Sequence, residues 1–289
     1  MGAKTKIAWA DSTWPVINGC RRVTEGCRNC YAERLTGTRL KHNQWYAGLT
    51  RDTPDGPRWT GKWRLNEPHL EDPLRWRSPR WIFPCDRGDL FFKPVPFAVI
   101  RRVVDVMREA HWHRFLVLTK RPARMAEFAE LHGLPPNVWA GVSIHDQKSA
   151  DEFLNALFWV EAENHFVSYE PALEYANLKP WLHESDCPVL YGHPRCVCRD
   201  REGPREKRLG LVIVGGESDQ NYKAREFRLS TARSVIRDCK VAGVPVFNKQ
   251  LGSCPIGDLG GVLSPAHRAG ADPAEWPEDL RVRQMPEFG

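Results

Sequence analysis

The sequence lacks any apolar run approaching the roughly 18 residues that a membrane-spanning helix needs. Its first residues, MGAKTKIAWADSTW, also lack the apolar stretch of a signal peptide, and Lys6 stands where a myristoylation signal requires Ser or Thr. No internal repeat and no low-complexity tract occurs in the 289 residues. We therefore expect a cytoplasmic protein with no membrane partner.

An excess of charge of one sign is nearly absent as well. The chain has 42 Lys and Arg residues and 36 Asp and Glu residues, so its formal net charge is only +6. This balance permits a polyanionic partner without requiring one. Hydrophobic residues make up 42% of the chain, which is enough to build a sizeable core and excludes a disordered tail.

Cysteine and tryptophan, in contrast, are abundant, with nine and twelve residues. An odd number of cysteines in a chain without an export signal argues against a disulfide framework. We interpret these cysteines as free thiols or metal ligands.

Short apolar runs alternate with amphipathic stretches along most of the chain. The predicted strands are Trp14–Asn18, Trp81–Pro84, Phe115–Thr119, Asn137–Ser143, His165–Ser168, Leu211–Val214 and Val244–Phe247. The predicted helices include Pro96–Ala110, Pro122–Leu131, Lys148–Val160 and Ser230–Ala242. This alternation predicts an α/β fold with a parallel sheet, closed as a complete or partial TIM-like (βα) barrel over residues 1–255. Residues 41–80 and 183–209 break the rhythm and are predicted to be loop insertions, and residues 256–289 an extended C-terminal tail.

Polar residues follow each predicted strand directly. The groups are Gly19-Cys20, Cys85 to Asp89, Thr119 to Pro122, Ser143 with His145 to Gln147, Ser168 to Pro171, Gly215 to Ser218, and Asn248 to Gln250. In βα barrels the chemistry gathers where strands end and loops begin. We therefore predict a shared functional rim, although any one group is equally explained by the polarity of loops.

Three cysteines lie together in the segment GCRRVTEGCRNCYAERL, between a predicted strand and a helix. Six residues separate Cys20 from Cys27, and two separate Cys27 from Cys30. A closed zinc site needs a fourth ligand, whereas a [4Fe–4S] cluster held by three cysteines keeps one iron open. We favour the cluster, with zinc and unrelated thiols as the alternatives.

These cysteines and several further segments resemble a known family. The matching segments are TKIAWADSTWPVINGCRRVTEGCRNCYAERL, PLRWRSPRWIFPCDRGDLF, FLVLTKRPARM, NVWAGVSIHDQ, HFVSYEPAL, LVIVGGES and VPVFNKQLG. Three cysteines ending in C-x-x-C after the first strand resemble the radical S-adenosylmethionine (SAM) superfamily. More closely, the chain resembles a phage-borne, three-Cys-motif family of radical-SAM-like proteins of unknown function.

The resemblance implies a [4Fe–4S] cluster on Cys20, Cys27 and Cys30, whose open iron binds SAM. An external electron donor would then drive reductive cleavage to a 5′-deoxyadenosyl radical, which abstracts hydrogen from a substrate in the host cytoplasm. Two features depart from the superfamily. In the superfamily three residues usually lie between the first two cysteines, whereas six do here. Gly-Gly-Glu usually follows the second strand, whereas Gly215-Gly216-Glu217 follows the sixth predicted strand.

Residue chemistry suggests further contacts to SAM. Lys120, or Arg121 beside it, is a candidate partner for the SAM carboxylate, and Glu170 and Glu217 are candidate acceptors for its ammonium group. Gly215 and Gly216 allow close approach of the backbone to a ligand, and Tyr31 is placed to lie against adenine. Salt bridges at the rim and ordinary packing are the alternatives. The sequence assigns no catalytic residue.

A segment rich in tryptophan and arginine suggests the substrate. Its candidate nucleic-acid-binding residues are Arg58, Trp59, Trp63, Arg75, Trp76 and Arg77. Aromatic faces among guanidinium groups suit stacking on bases and binding of phosphates. Together with the phage-borne resemblance, they favour DNA, RNA or a nucleotide, and packing of the tryptophans on the barrel is the alternative.

A second metal site is also suggested, because Cys187, His193, Cys196 and Cys198 lie within twelve residues. Two other functions compete with the iron–sulfur enzyme. One is a zinc-stabilised, non-catalytic nucleic-acid-binding protein, and the other is a barrel lyase or aldolase with Lys120 or Lys249 as a Schiff base.

Overall fold

The computed structural model of the chain describes residues 5–182, 208–218 and 224–288. Two compact units are distinguished. The first comprises the described residues up to Val142 together with Trp159–Glu163, and the second comprises Ser143–Phe158 together with the described residues from Asn164 onward.

The described strands are short. They are β1 (Ser12–Trp14), β2 (Ile17–Asn18), β3 (Thr50–Arg51), β4 (Arg58–Trp59), β5 (Arg64–Leu65), β6 (Trp81–Pro84), β7 (Arg114–Thr119), β8 (Val138–Ile144), β9 (Asn164–Tyr169), β10 (Leu209–Gly215), β11 (Phe227–Arg228), β12 (Val246–Gln250) and β13 (Pro255–Ile256).

Helices lie between most of the longer strands. They are α1 (Tyr31–Gly37), α2 (Asp72–Arg75), α3 (Phe97–Glu109), α4 (Pro122–His132), α5 (Gln147–Leu157), α6 (Lys179–Leu182) and α7 (Leu229–Ala242). Single 3-10 turns cover Glu25–Cys27, Glu67–His69, Pro273–Glu275 and Glu278–Leu280.

Seven strands form one sheet in the order β1-β6-β7-β8-β9-β10-β12. In the first unit β1 pairs with β6, β6 with β7 and β7 with β8, and in the second β10 pairs with both β9 and β12; all these pairs are parallel. Parallel strands need a crossover between them: α3, α4, α6 and α7 lie in the connections between these paired strands, and α5 lies between β8 and β9. The predicted α/β fold with a parallel sheet flanked by helices is therefore confirmed.

Burial explains why these segments form a parallel sheet. Every residue of β8 is buried, as expected for a strand covered on both faces. Helix α3 buries Ile100, Val103, Val104 and Met107, which are spaced three, one and three residues apart and form one apolar stripe. The stripe directs the helix onto the sheet.

One predicted strand is wrong. Trp14–Asn18 is not continuous, because the chain turns at Pro15, where the Val16 amide donates to the Trp14 carbonyl at 2.8 Å. Proline supplies no amide hydrogen for a ladder and fixes φ, so the run divides there. β1 stays in the parallel sheet, whereas β2 pairs antiparallel with β5.

The predicted insertion at residues 41–80 contains local structure that its sequence period did not show. β3 pairs antiparallel with β4, and β5 returns to β2. Residues 282–284 of the C-terminal segment lie along β12: the Asn248 amide donates to the Val282 carbonyl at 2.8 Å, and the Gln284 amide donates to the Val246 carbonyl at 2.9 Å. The predicted insertion at residues 183–209 lies almost entirely outside the described residues. None of the described helices is both long and apolar enough to cross a membrane.

Candidate functional site: the cysteine loop

Residues 19–30, here called the cysteine loop, connect β2 to α1. Cys27 ends a single 3-10 turn, and α1 begins at Tyr31, directly after Cys30. Cys20, Cys27 and Cys30 are all half-buried and free of disulfides. The predicted order of strand, three thiols and helix is therefore present in the first unit.

A buried glutamate on α1 anchors this loop. The Glu33 side chain is 2% exposed and forms an ion pair with Arg22 of the loop, whose Nε donates to Glu33 Oε2 at 2.9 Å. Glu33 Oε1 also accepts a hydrogen bond from the Trp59 amide at 2.7 Å. Because a buried charge is costly unless it is paired and hydrogen-bonded, Glu33 holds the loop and β4 on the same helix.

Two glycines allow the loop to lie against the end of β6. The Gly19 amide donates to the Arg87 carbonyl at 2.9 Å. A Cβ atom on Gly88 would lie 2.4 Å from the Ile17 carbonyl oxygen, and one on Gly19 would lie 2.3 Å from the Lys62 carbonyl oxygen. Side chains at either position would force the backbones apart.

Arg121 connects the cysteine loop to the end of β7. Its Nη1 donates to Cys20 Sγ at 3.8 Å and to Asp89 Oδ2 at 2.6 Å, while Nη2 donates to the Arg21 carbonyl at 2.9 Å. Asp89, which is 5% exposed, is held in turn by the Thr119 hydroxyl at 2.8 Å. The exits of β6 and β7 therefore both reach the loop, as the rim hypothesis predicted for these two strands.

Cys30 is coupled electrostatically to both of the other thiols. The pKa of Cys20 is raised to about 12, chiefly by burial and also by the negative charges of Asp89 and Cys30, while Arg121 opposes the rise. Burial also raises the pKa of Cys30, and the neighbouring Cys27 adds to this effect while Lys120 counteracts it. Thiolates gathered in this way repel each other, and a bound cation or metal would relieve that repulsion.

Cys27 differs from the other two thiols. Burial works against its ionisation, but the positive charge of Lys120 and hydrogen bonds from Val23 and Thr24 outweigh burial, so the pKa of Cys27 is lowered. Within the described ranges no hydrogen bond or ion pair engages the Lys120 ammonium group. Lys120 therefore presents an unneutralised charge to Cys27 and Cys30.

These residues suit some metal groups better than others. In the part of the chain that the structure describes, no three His, Cys, Asp or Glu side chains are grouped to hold a single metal ion. Zinc requires its ligands to converge on one ion at about 2.3 Å for sulfur, whereas the cysteines of an iron–sulfur cluster bind different irons. Three free thiols on one loop, with Cys30 coupled to both of the others, supply the type and number of donors that such a cluster would need.

Tyr31 and Asp86 lie beside the same loop. The Tyr31 hydroxyl donates to the Asp86 carbonyl at 2.7 Å, and the Tyr31 side chain is 44% exposed. Burial raises the pKa of the Asp86 carboxyl group to about 6, against the attraction of Arg87 at 3.4 Å. Tyr31 thus keeps an exposed ring next to Cys30.

Other predicted SAM-binding residues lie in the second unit. Glu170 follows β9, and its Oε2 accepts a hydrogen bond from Lys249 Nζ at 2.6 Å. Glu217 is 7% exposed, and its carboxylate is bonded to Arg225 Nη2 at 2.6 Å and to the Arg225 amide at 3.0 Å. Both carboxylates therefore have cationic partners from this chain.

Gly215 and Gly216 serve close backbone packing in the second unit. A Cβ atom on Gly216 would lie 2.4 Å from the Leu251 carbonyl oxygen, and one on Gly215 would lie 3.2 Å from the Gln250 carbonyl oxygen. Gln250 Nε2 donates to the Gly216 carbonyl at 2.8 Å. A side chain at Gly216 would therefore force apart the backbones at the ends of β10 and β12, and Gly215 lies in a tight contact with the same end of β12.

Some strand-exit residues have structural roles. Asp146 caps α5 by accepting the Ser149 amide at 2.7 Å, and the Gln147 side chain accepts the Asn177 amide at 2.7 Å. Helix capping therefore explains part of the group of polar residues that follows β8.

The structure divides the predicted nucleic-acid-binding segment in two. Trp63 and Lys62 lie against the cysteine loop, since a Cβ atom on Gly19 would be 3.0 Å from the Trp63 Cα. Arg58 and Trp59 form β4, which is tied to Glu33.

The second half of that segment lies at the other ends of the strands. The Trp76 ring lies under Arg80, 5.0 Å away, and meets the His113 ring edge-on. Arg80 and His113 directly precede β6 and β7, whereas the cysteine loop contacts the residues that follow these strands. Arg75 pairs with Asp72 at 3.6 Å, and Arg77 is exposed. The residues therefore do not form one surface.

The suggested second metal site cannot be placed. Cys187, His193, Cys196 and Cys198 lie outside the described residues.

Sequence reasoning missed the coupling of Cys20 to Arg121 and Asp89. Arg121 and Asp89 are separated by 32 positions, and Arg121 and Cys20 by 101. The available signal was that Asp89 and Arg121 each follow a strand of one parallel sheet, which brings strand exits to a common edge.

Comparisons with known proteins give one family match. A family model described as "Protein of unknown function (DUF5131)" matches residues 4–271. No curated protein and no solved structure matches the chain.

Proposed function

This chain belongs to the DUF5131 family, and we propose that it is a radical-SAM-like iron–sulfur enzyme acting on a nucleotide or nucleic acid. Cys20, Cys27 and Cys30 would hold a [4Fe–4S] cluster. When bound, such a cluster supplies the electron that cleaves SAM reductively and so starts hydrogen abstraction from the substrate.

One observation carries this proposal. Three free thiols lie on one loop at the exits of β6 and β7, and electrostatics couples Cys30 to both other thiols. Structural thiols in a core are commonly isolated and surrounded by apolar groups. Here the cations Lys120 and Arg121 lie next to the thiols instead, and the positive charge of Lys120 helps to lower the pKa of Cys27, which favours the thiolate form that ligates iron.

The chain's own residues have separable roles at this site. Lys120 is a candidate to bind a carboxylate, because its positive charge acts on Cys27 and Cys30 and its ammonium group forms no ion pair with any described residue. Tyr31 offers an exposed ring for stacking beside Cys30. The parallel strands are proposed to form part of a TIM-like barrel, in which strand exits converge on one active site.

Residues 58–77, which contain the candidate nucleic-acid-binding residues, are here called the Trp-Arg segment. The proposed substrate class rests on the half of this segment that lies next to the cysteine loop. Trp59 and Trp63 are half-buried there, and Lys62 and Arg21 are exposed. A Cβ atom on Gly61 would lie 2.9 Å from Arg21 Nη2, so Arg21 lies against the turn that precedes Lys62. Exposed cations next to aromatic rings favour phosphate and base recognition.

The test is EPR of the anaerobically reconstituted, reduced protein with and without SAM. We expect a cluster signal that SAM perturbs. Cys27→Ala is expected to lose the signal, and Cys254→Ser, a matched change of a half-buried cysteine in the second unit, is expected to keep it. A cluster signal that SAM does not perturb would contradict the SAM assignment and would indicate a cluster that serves electron transfer or a structural role.

A further inference from the structure

The positive charge of Arg121 lies next to the sulfur of Cys20, one of the three proposed cluster ligands. Its guanidinium donates to Cys20 Sγ at 3.8 Å, and its side chain is 13% exposed. The guanidinium also lies over the Phe92 ring, 5.0 Å from the centroid. In such a water-poor setting a charge acts more strongly on its neighbours than in water.

The position of this guanidinium is fixed by other bonds. Asp89 Oδ2 accepts from Arg121 Nη1 at 2.6 Å, and the Arg21 carbonyl accepts from Nη2 at 2.9 Å. Asp89 Oδ1 is itself held by the Thr119 hydroxyl at 2.8 Å and the Phe91 amide at 2.9 Å. The cation and its carboxylate partner are therefore both preorganised before any group binds to Cys20.

We propose that Arg121 and Asp89 are positioning residues that set the reduction potential of the centre held by Cys20. This inference rests on the proposed iron–sulfur function. Reduction adds one electron, supplied by the external reductant, and makes the centre more negative. A cation at Sγ stabilises the reduced state more than the oxidised state and raises the potential, whereas the Asp89 carboxylate lowers it.

The two residues should therefore act with opposite signs. Removal of the cation in Arg121→Gln should make the midpoint potential more negative. Removal of the carboxylate charge in Asp89→Asn, which preserves the side chain's shape, should make it more positive. Arg121→Lys retains the charge and should lie between wild type and Arg121→Gln.

Arg124, in the first turn of α4 and three residues after Arg121, provides a matched control. Arg124 donates to the Val95 carbonyl at 2.6 Å and stacks on Phe97, 4.5 Å from the ring centroid. It thus resembles Arg121 in charge and ring contact but does not bond to a cysteine. Arg124→Gln should leave the midpoint potential unchanged.

The experiment is an EPR-monitored redox titration of the five reconstituted proteins without SAM. Opposite shifts for Arg121→Gln and Asp89→Asn support the inference, because general loosening of the loop would shift both in one direction. If both Arg121 variants lose the cluster, Asp89→Asn still tests the inference, because a more positive midpoint potential supports it and any other result overturns it. Unchanged or same-direction shifts overturn the inference alone, while a wild-type protein without any cluster overturns the proposed function as well.

Discussion

Asp86 is a buried carboxyl group whose ionisation is unfavourable in the folded protein. It is 7% exposed, and within the described residues its Oδ1 has no hydrogen-bond partner. Burial raises its pKa from 3.8 to about 6. Because the folded protein then binds this proton more tightly than the unfolded chain, the group's contribution to stability is greatest below pH 4 and falls as the pH rises towards 6.

We expect Asp86→Asn to stabilise the protein at neutral pH. A pKa difference of about two corresponds to about 3 kcal/mol, which is the upper bound of the gain at pH 7. The gain should vanish near pH 4, where the folded carboxyl group is already protonated. Chemical denaturation at pH 7 and pH 4 measures both values.

Asp105→Asn is the matched control for Asp86→Asn. Asp105 is half-exposed and pairs with Arg108 on the surface of α3, so its removal should change stability little at either pH. A variant at Asp86 that is destabilised at pH 7, or equally stabilised at both pH values, would contradict the argument.

The sequence was sufficient to group the three thiols on one loop but not to identify the charged residues that contact them. Cys20, Cys27 and Cys30 are close in the chain, and local spacing was enough to group them. Arg121 and Asp89 join them only through the parallel arrangement of β6 and β7. Pair interactions between strand exits depend on the sheet order, which hydrophobic periodicity does not determine.

At the scale of elements, the contact between the cysteine loop and the exit of β6 depends on Gly88. We expect Gly88→Ala to cost about 1–3 kcal/mol of unfolding free energy, because its Cβ would lie 2.4 Å from the Ile17 carbonyl oxygen. The same variant should lose iron content after reconstitution, since the displaced backbone carries the cysteine loop. Thermal or chemical denaturation and iron analysis measure the two effects.

Gly261→Ala provides the comparison. A Cβ atom there would meet nothing within 4 Å, so stability should change by less than about 0.5 kcal/mol. Equal stability of the two variants would show that the loop does not depend on the close approach at Gly88.

The two halves of the Trp-Arg segment should also differ in binding. We expect Lys62→Glu to weaken binding of a labelled single-stranded oligonucleotide and to reduce the slope of log K against log salt by about 0.7, as expected for one lost phosphate contact. Arg77→Glu, a charge reversal at the opposite ends of the strands, should leave both quantities unchanged. Fluorescence anisotropy over a salt series measures them.

An equal loss in both variants would indicate nonspecific attraction by net charge. A larger loss for Arg77→Glu would move the binding surface to the amino ends of the strands. Either result would contradict the assignment of substrate to the cysteine-loop side.

Element prediction succeeded where burial imposes a clear period. β6 matches its predicted bounds, and α3 and α4 differ from theirs by one residue at one or both ends. It failed at Trp14–Asn18, where Pro15 interrupts an otherwise apolar run. Short elements such as α2 and the pairs β3–β4 and β2–β5 were missed, because two to four residues show no period and depend on tertiary contacts.

At the scale of the whole molecule, the described units differ in how their strand exits are used. In the first unit the exits of β6 and β7 support the cysteine loop through Gly88, Asp89 and Arg121. In the second unit Glu170 and Glu217 pair with Lys249 and Arg225. The alternation of strands and helices predicted the parallel sheet, but it did not predict which exits carry unneutralised charge.

The most direct test of the account is elemental analysis of the anaerobically purified and reconstituted protein. We predict iron and acid-labile sulfide in equal amounts, about four of each per chain for the centre on the cysteine loop. Cys20→Ala, Cys27→Ala and Cys30→Ala should each lose both elements. Stoichiometric zinc with neither iron nor sulfide would contradict the account and identify the loop as a zinc-stabilised binding element.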